Sequence, residues 1–90
     1  MLAKALGCDL GAHGIRVNAV EPGWTRTPMS APMMDDPAVV KYYTDRIALH
    51  RAAEPEELAS AIAYTLSADA SYMTCATMLV DGGFIVNAEL

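Results

Sequence analysis

Apolar and polar positions alternate in a short stretch near the start of the chain. In residues 15–20 an apolar side chain occupies every second position, and this period of two is typical of a β-strand. Glu21-Pro22-Gly23 follows directly and predicts a turn. Residues 77–80 are predicted to form a second strand, which ends at the turn Asp81-Gly82-Gly83.

Helical periodicity predicts three further elements. Residues 1–12 form a predicted helix with apolar side chains around nearly its whole circumference, so we expect it to be buried on several sides. A short helix is expected to be capped by Asp36 and opened by Pro37. A longer helix is predicted over residues 55–68, because apolar residues recur there at a spacing of four. Those residues are Leu58, Ile62 and Leu66.

The order of these elements predicts an α/β fold. Two strands joined through helices are expected to be parallel, with a right-handed crossover. A parallel sheet needs helices on both faces, and two strands do not form a stable sheet alone. The pattern is therefore interpreted as the last third of an α/β domain, with the rest of that domain absent.

Composition and charge narrow the class of protein. The 90 residues include 6 Lys and Arg against 11 Asp and Glu, for a formal net charge of −5, and the scattered cations do not suit nucleic-acid phosphates. No stretch is apolar enough to span a membrane and no secretory signal is visible, so we expect a cytoplasmic protein without nucleic-acid or membrane partners. The hydrophobic fraction of 53% is more than a chain of this size buries by itself.

The cysteine and histidine residues do not predict a metal site. Cys8 and Cys75 form no CxxC motif, so we interpret both as reduced packing residues rather than as a disulfide or metal site. His13 and His50 are isolated and lack the spacing of zinc ligands.

The segment after the first predicted strand carries the candidate chemistry. Ligands of open α/β sheets bind at the carboxyl ends of strands. Pro22 fixes the turn there, and Gly23 allows backbone to approach a flat ligand closely. Thr25 and Thr27 add hydroxyl groups that could hold an amide or a phosphate oxygen. The alternative interpretation is an ordinary loop after a strand.

Four ordered motifs resemble one known family. Residues 15–27, IRVNAVEPGWTRT, fit the Pro-Gly motif of the classical short-chain dehydrogenases/reductases at every specified position, and Thr27-Pro28-Met29 extends the match. Residues 54–59, 66–72 and 80–84 then resemble the end of that family in the expected order. The resemblance covers essentially the whole chain and implies the C-terminal part of a Rossmann-type doubly wound parallel sheet, with two strands and about three helices.

The resemblance also implies roles for the loop residues. Pro22 and Gly23 would lie beside the nicotinamide ring of NAD or NADP, the backbone of Thr25 would bond the carboxamide, and the Thr27 hydroxyl would contact the same end of the cofactor. Residues 29–50 would form the substrate lid of an oxidoreductase acting on an alcohol or carbonyl, such as a polyol, sugar or keto compound. Trp24 either covers the hydrophobic core or forms part of the wall of the substrate site. The lid methionines, which either contact substrate or fill gaps under the loop, are Met29, Met33 and Met34.

The family's catalytic machinery has no counterpart in this sequence. There is no Gly-rich phosphate loop and no Tyr-x-x-x-Lys pair, and in the family those residues lie N-terminal to the position of Met1. We therefore assign no catalytic residue, and we expect the isolated chain to be inactive and to bind no cofactor tightly. Relatives also usually have Thr-Gly where this chain has Thr74-Cys75, and a positive φ there would make cysteine costly.

A non-catalytic module that associates with itself or with a partner chain is the alternative function. In relatives the helix over residues 55–68 and the final strand pack against their counterparts in a second subunit, which implies a homo-oligomer. The excess of apolar residues fits such burial. The candidate interface residues are Leu58, Ile62, Leu66 and Leu79.

Overall fold

The computed structural model describes residues 1–89, and the side chains of residues 1–87. Five α-helices and two parallel strands follow one another along these residues, and two 3-10 turns, Gly11–His13 and Ala68–Ala70, follow α1 and α4. The elements are α1 (Leu2–Leu10), β1 (Ala19–Pro22), α2 (Ala31–Met34), α3 (Pro37–Arg46), α4 (Pro55–Leu66), β2 (Thr77–Val80) and α5 (Phe84–Glu89).

The two strands pair in parallel, which confirms the predicted fold class. The register runs from Ala19 opposite Thr77 to Pro22 opposite Val80. The second strand has the predicted bounds, whereas the first begins at Ala19 and ends at Pro22 instead of covering residues 15–20.

Residues before Ala19 are held by side chains and single backbone bonds rather than by a strand ladder. Val17 N–H donates to Thr74 Oγ1, and Cys75 N–H donates to the Val17 carbonyl. The Asn18 amide donates to the Met73 carbonyl and accepts from Ala76 N–H. Cys75 has φ of 60°, which is a left-handed conformation. A strand ladder needs extended backbone on both sides, so the segment around Cys75 cannot pair as a strand with the residues before Ala19. The alternating pattern therefore predicted a strand in this region but not the residue at which pairing starts.

The helix ends also differ from the sequence prediction. The first helix ends as an α-helix at Leu10 rather than at residue 12, and Gly14, with φ of 74°, closes the 3-10 turn that follows. The helix predicted over residues 55–68 ends at Leu66, because Ser67 is extended. Two short helices, α2 and α5, were not predicted.

Local signals fix where α3 and α4 begin. Asp36 caps α3 by accepting from Ala38 N–H at 2.9 Å, as predicted. Glu54 and Glu57 form a reciprocal capping box at the start of α4. This box satisfies backbone N–H groups that the first turn of a helix leaves unpaired.

Few side chains are fully buried among the described residues. The buried apolar residues are Ile47, Leu58 and Ala70. The first helix, expected to be buried on several sides, buries only Gly7 within this chain. None of the described helices is long and apolar enough to cross a membrane.

Candidate cofactor and substrate site

The carboxyl ends of the two strands meet at one edge of the sheet. Pro22 is the register partner of Val80, and Gly23 N–H continues the pairing by donating to the Val80 carbonyl at 2.9 Å. The loop that carries the candidate residues therefore leaves the sheet beside the turn that starts at Asp81. This edge is where ligands of parallel α/β sheets bind.

Gly23 is required by the neighbouring turn. A Cβ atom at Gly23 would lie 2.6 Å from the Cα of Asp81, a distance that no side chain tolerates without a backbone shift. The sequence interpretation assigned this glycine to the close approach of a ligand. The structure shows that the turn at Asp81 also approaches this glycine closely, and the approach of a ligand stays a prediction.

A single β-bridge orients the backbone of Thr25. Ala53 N–H donates to the Trp24 carbonyl, and Arg26 N–H donates to the Ala53 carbonyl, each at 2.9 Å. In a parallel bridge the central residue directs its own N–H and C=O away from the partner. Thr25 N–H has no hydrogen-bond partner among the backbone and side-chain groups that the structure describes, so it is a free donor at the carboxyl edge of the sheet.

The hydroxyl groups of this loop form most of their hydrogen bonds with other groups of the same loop. Thr25 Oγ1 donates to the Gly23 carbonyl at 3.0 Å. Ser30 Oγ donates to the Thr25 carbonyl at 2.7 Å and accepts from Thr27 N–H at 3.0 Å. Thr27 Oγ1 in turn accepts from Ser30 N–H at 3.3 Å. Ser30 thus holds Thr25 and Thr27 together.

Ser30 was missed by the sequence analysis. The available signal was its spacing of three residues from Thr27. Hydroxyl side chains at such spacing form local hydrogen bonds with backbone groups.

Three of the four predicted cofactor residues line one cavity. It has a volume of about 360 Å³ and lies between the loop and α4. Gly23 instead lines a neighbouring groove together with Trp24. The lining residues of the first cavity are Val20, Pro22, Thr25, Thr27, Pro55, Leu58, Ala59 and Ile62.

The predicted lid residues do not converge on this cavity. Met29 is 91% exposed, and Met33 lies in a separate depression against α3. Met34 contacts Ser30 Oγ through its sulfur at 3.9 Å.

Trp24 joins the loop after β1 to α3. Its ring stacks on that of Tyr43, with 4.7 Å between the ring centroids, and the ring centroids of Tyr43 and Phe84 of α5 are 6.0 Å apart. Trp24 Nε1 is buried and has no hydrogen-bond partner among the described residues. Trp24 therefore packs on Tyr43 and also lines the groove beside Gly23, an arrangement that leaves both roles considered for it open.

An ion pair holds the start of α4 near the bridge. Both carboxylate oxygens of Glu57 accept from the Arg51 guanidinium, at 2.7 and 2.8 Å, and Glu54 N–H donates to the same carboxylate at 3.0 Å. The hydrogen bonds from the Arg51 side chain and, to a smaller extent, from the Glu54 N–H lower the pKa of Glu57 to about 2. The neighbouring pair of Arg26 and Glu54 has an N···O distance of 3.1 Å.

The candidate interface residues differ in exposure. Leu58 is buried inside the chain, whereas Ile62, Leu66 and Leu79 are 47%, 78% and 41% exposed. Among the side chains of residues 1–87, no group of three metal-ligating residues converges.

Comparison with known proteins places this arrangement in a family. The family model described as enoyl-(acyl carrier protein) reductase matches residues 1–85. A tropinone reductase homolog of Arabidopsis thaliana is 41% identical over 86 residues, which cover 96% of this chain and 33% of that protein. L-xylulose reductase of Bos taurus is 44% identical over 84 residues, which cover 93% of this chain and 34% of that protein.

A solved structure agrees with this placement. 4-Hydroxyisoleucine dehydrogenase complexed with NADH is similar over 94% of this chain and 35% of its own, with a TM-score of 0.92 and 27% sequence identity. The chain spans about a third of the length of the curated relatives it matches. Because the family match extends over residues 1–85, the chain belongs to the short-chain dehydrogenase/reductase family.

Proposed function

We propose that this chain is the nicotinamide-facing and substrate-facing C-terminal third of an oxidoreductase. The complete enzyme moves a hydride between NAD or NADP and the alcohol or carbonyl carbon of a polyol, sugar or keto compound. In this proposal Pro22 and Gly23 lie beside the nicotinamide ring. The backbone of Thr25 bonds its carboxamide, and the Thr27 hydroxyl contacts the same end of the cofactor. Residues 29–50 cover the substrate, and the location is cytoplasmic.

One observation carries the proposal. Thr25 N–H is a free backbone donor at the carboxyl edge of the sheet, and Thr25 and Thr27 line the same cavity. A fixed backbone N–H is suited to an amide oxygen, because its direction is set before the ligand arrives. The Thr25 hydroxyl is used within the turn, so the backbone is the part of this residue that remains available.

The relatives support the chemical class. Their names describe reduction of L-xylulose and oxidation of a hydroxylated amino acid, and the latter enzyme was solved with NADH. Both reactions interconvert an alcohol and a carbonyl, which is the hydride chemistry that a nicotinamide cofactor supplies.

The test is a chimera in which residues 1–85 replace the matching third of L-xylulose reductase. We expect the chimera to reduce a sugar ketone with a nicotinamide dinucleotide, and the 90-residue chain alone to show no turnover. A Thr27→Val chimera is expected to have a raised KM for the dinucleotide, whereas Thr77→Val, at an exposed position of β2 outside the loop and the lid, serves as the control. A folded chimera that binds no dinucleotide contradicts the cofactor role, and turnover by the isolated chain contradicts its inactivity.

Self-association is the second candidate function, and the exposed area fits it as well as it fits cover by the rest of the proposed enzyme. The chain exposes 6282 Å², whereas a complete folded monomer of its mass exposes roughly 5,100 Å². The difference exceeds the area of about 800 Å² that one partner contributes to a standard interface. Sedimentation velocity of the purified chain distinguishes a discrete oligomer from a monomer.

A further inference from the structure

Two cysteine side chains that are distant in the sequence lie side by side in the fold. Cys8 belongs to α1, Cys75 lies two residues before the start of β2, and their sulfur atoms are 3.7 Å apart. Both are free thiols. We propose that Cys8 and Cys75 are a redox-sensitive thiol pair, which a low-molecular-weight disulfide converts reversibly into an intramolecular disulfide.

The backbone around Cys75 holds its sulfur near Cys8. Cys75 N–H donates to the Val17 carbonyl at 2.8 Å, which ties the residue to the segment that enters β1. Its φ of 60° is a conformation that costs free energy at residues other than glycine. The position of Cys75 is therefore set by the fold of this segment and not by chance contact of a flexible chain end.

Gly7 provides the space for this sulfur. A Cβ atom at Gly7 would lie 2.5 Å from Cys75 Sγ, so any larger residue would displace it. The sulfur atoms need to approach by roughly 1.6 Å to reach a disulfide bond of about 2.05 Å. The proposal requires rotation of the two cysteine side chains, or a small shift of α1, to close this gap.

The two thiols differ in access, and this difference sets the order of the reaction. Cys8 is exposed and Cys75 is half-buried. The hydrogen bond to Cys75 raises the pKa of Cys8 above its ordinary value, so Cys8 rests as a thiol near neutral pH and reacts through its small thiolate fraction. This fits a reducing compartment, where such a bond forms only when oxidant accumulates.

The exchange balances with one external disulfide, R–S–S–R. The Cys8 thiolate attacks one sulfur of R–S–S–R, forms a mixed disulfide and releases one thiolate, R–S⁻. The Cys75 thiolate then attacks the Cys8 sulfur, forms the Cys8–Cys75 bond and releases the second R–S⁻. The two protein thiols lose two electrons and their two protons, and R–S–S–R is reduced to two R–SH.

The test measures the equilibrium of the full 90-residue chain with reduced and oxidised glutathione. The equilibrium constant is measured once in native buffer and once in concentrated guanidinium chloride. We expect it to be at least tenfold larger in native buffer, because the fold holds the sulfur atoms together. After alkylation, trypsin is expected to release residues 5–16 linked to residues 52–90. If the equilibrium constant in native buffer is no larger than the one in guanidinium chloride, the proposal is overturned.

Matched variants separate the geometry from general thiol reactivity. Cys8→Ser and Cys75→Ser each retain one thiol, and we expect them to form only a mixed disulfide with glutathione. Gly7→Ala favours helix formation but displaces the Cys75 sulfur, so we expect the ratio of equilibrium constants to fall toward 1. An unchanged ratio in Gly7→Ala would show that the observed approach of the sulfurs is not what drives oxidation.

Discussion

Gly23 is needed at the point where two turns of the chain touch. The nearest atom to a Cβ placed there is the Cα of Asp81, at 2.6 Å. A backbone atom cannot rotate away as a side chain can, so one of the two turns must move. The contact joins the loop after β1 to the turn after β2 and so fixes the edge of the sheet where Thr25 presents its N–H.

We expect Gly23→Ala to lower the free energy of unfolding by about 1–3 kcal/mol, the usual cost of overpacking. Urea denaturation measures the change. Gly11→Ala is the matched control, because nothing lies within 4 Å of its Cβ position and its backbone is helical. That variant is expected to be neutral or to gain up to about 1 kcal/mol. Equal effects of the two substitutions would contradict the contact with Asp81.

Cys75 shows that a resemblance can predict a local conformation. The sequence analysis noted a cysteine at a position where relatives have glycine, and the residue has φ of 60°. The conformation belongs to the fold of the segment before β2, and this chain retains it despite the cost to a residue with a Cβ.

The start of α4 depends on the contact between Arg51 and Glu57. The folded pKa of Glu57, about 2, lies below the ordinary value of 4.5. A depressed carboxyl pKa stabilises the fold above the unfolded pKa, and this contribution is lost as the pH falls from about 4.5 toward 2. The pair is exposed to solvent, so salt weakens it.

We therefore expect Glu57→Gln to melt at a lower temperature than the unaltered chain at pH 7, with the difference vanishing as the pH approaches 2. Thermal denaturation at several pH values measures it. Glu56→Gln removes the same charge from the same helical turn but leaves Arg51 paired, so its difference is expected to be smaller. If Glu57→Gln keeps its full difference at pH 2, the ion pair is not the cause.

Ser30 links the loop after β1 to α2. Its hydroxyl group contacts both the Thr25 carbonyl and Thr27 N–H. We expect Ser30→Ala to lower the free energy of unfolding by about 1–2 kcal/mol, because two backbone groups lose their partner. Ser60→Ala is the control: its hydroxyl bonds a carbonyl within an exposed helix, so a change within about 0.5 kcal/mol is expected. Urea denaturation compares the two variants.

Elements with a local signal could be predicted from the sequence, and elements held by distant contacts could not. Asp36 and Pro37 mark the start of α3 without reference to any other segment. The start of β1 depends on residues 73–76, whose conformation the alternating pattern in residues 15–20 does not contain. Helix α5 depends on Asp81, whose carboxylate accepts from Gly83 N–H and Ile85 N–H after the turn.

The candidate site shows the same division. Resemblance to the family predicts Pro22, Gly23, Thr25 and Thr27 as cofactor-binding residues. The free N–H of Thr25, however, follows from a bridge to Ala53. That bridge joins residues 28 positions apart, and nothing in the loop sequence specifies it. The separation of the lid methionines from the cavity is also a tertiary feature, which no spacing in the chain predicts.

The whole molecule is more extended than a complete domain of its length. Its radius of gyration is 15.7 Å and its longest dimension is 50 Å, whereas a compact chain of 90 residues has a radius of gyration of about 12 Å. Apolar side chains account for part of the additional surface, including Leu66 on α4. A surface of this kind lowers its free energy when another chain covers it.

We accordingly expect the isolated chain to associate, with Leu66 in the contact. Leu66→Lys is expected to shift sedimentation toward the monomer, because a charge placed in an apolar contact must be desolvated. Met29→Lys is the matched control, since Met29 is 91% exposed but lies in the lid segment, outside the candidate interface. Association of both variants at the same concentrations as the unaltered chain would remove Leu66 from the interface. Interfaces of standard size are populated at about 100 μM. If the unaltered chain stays monomeric at that concentration, self-association through α4 is excluded.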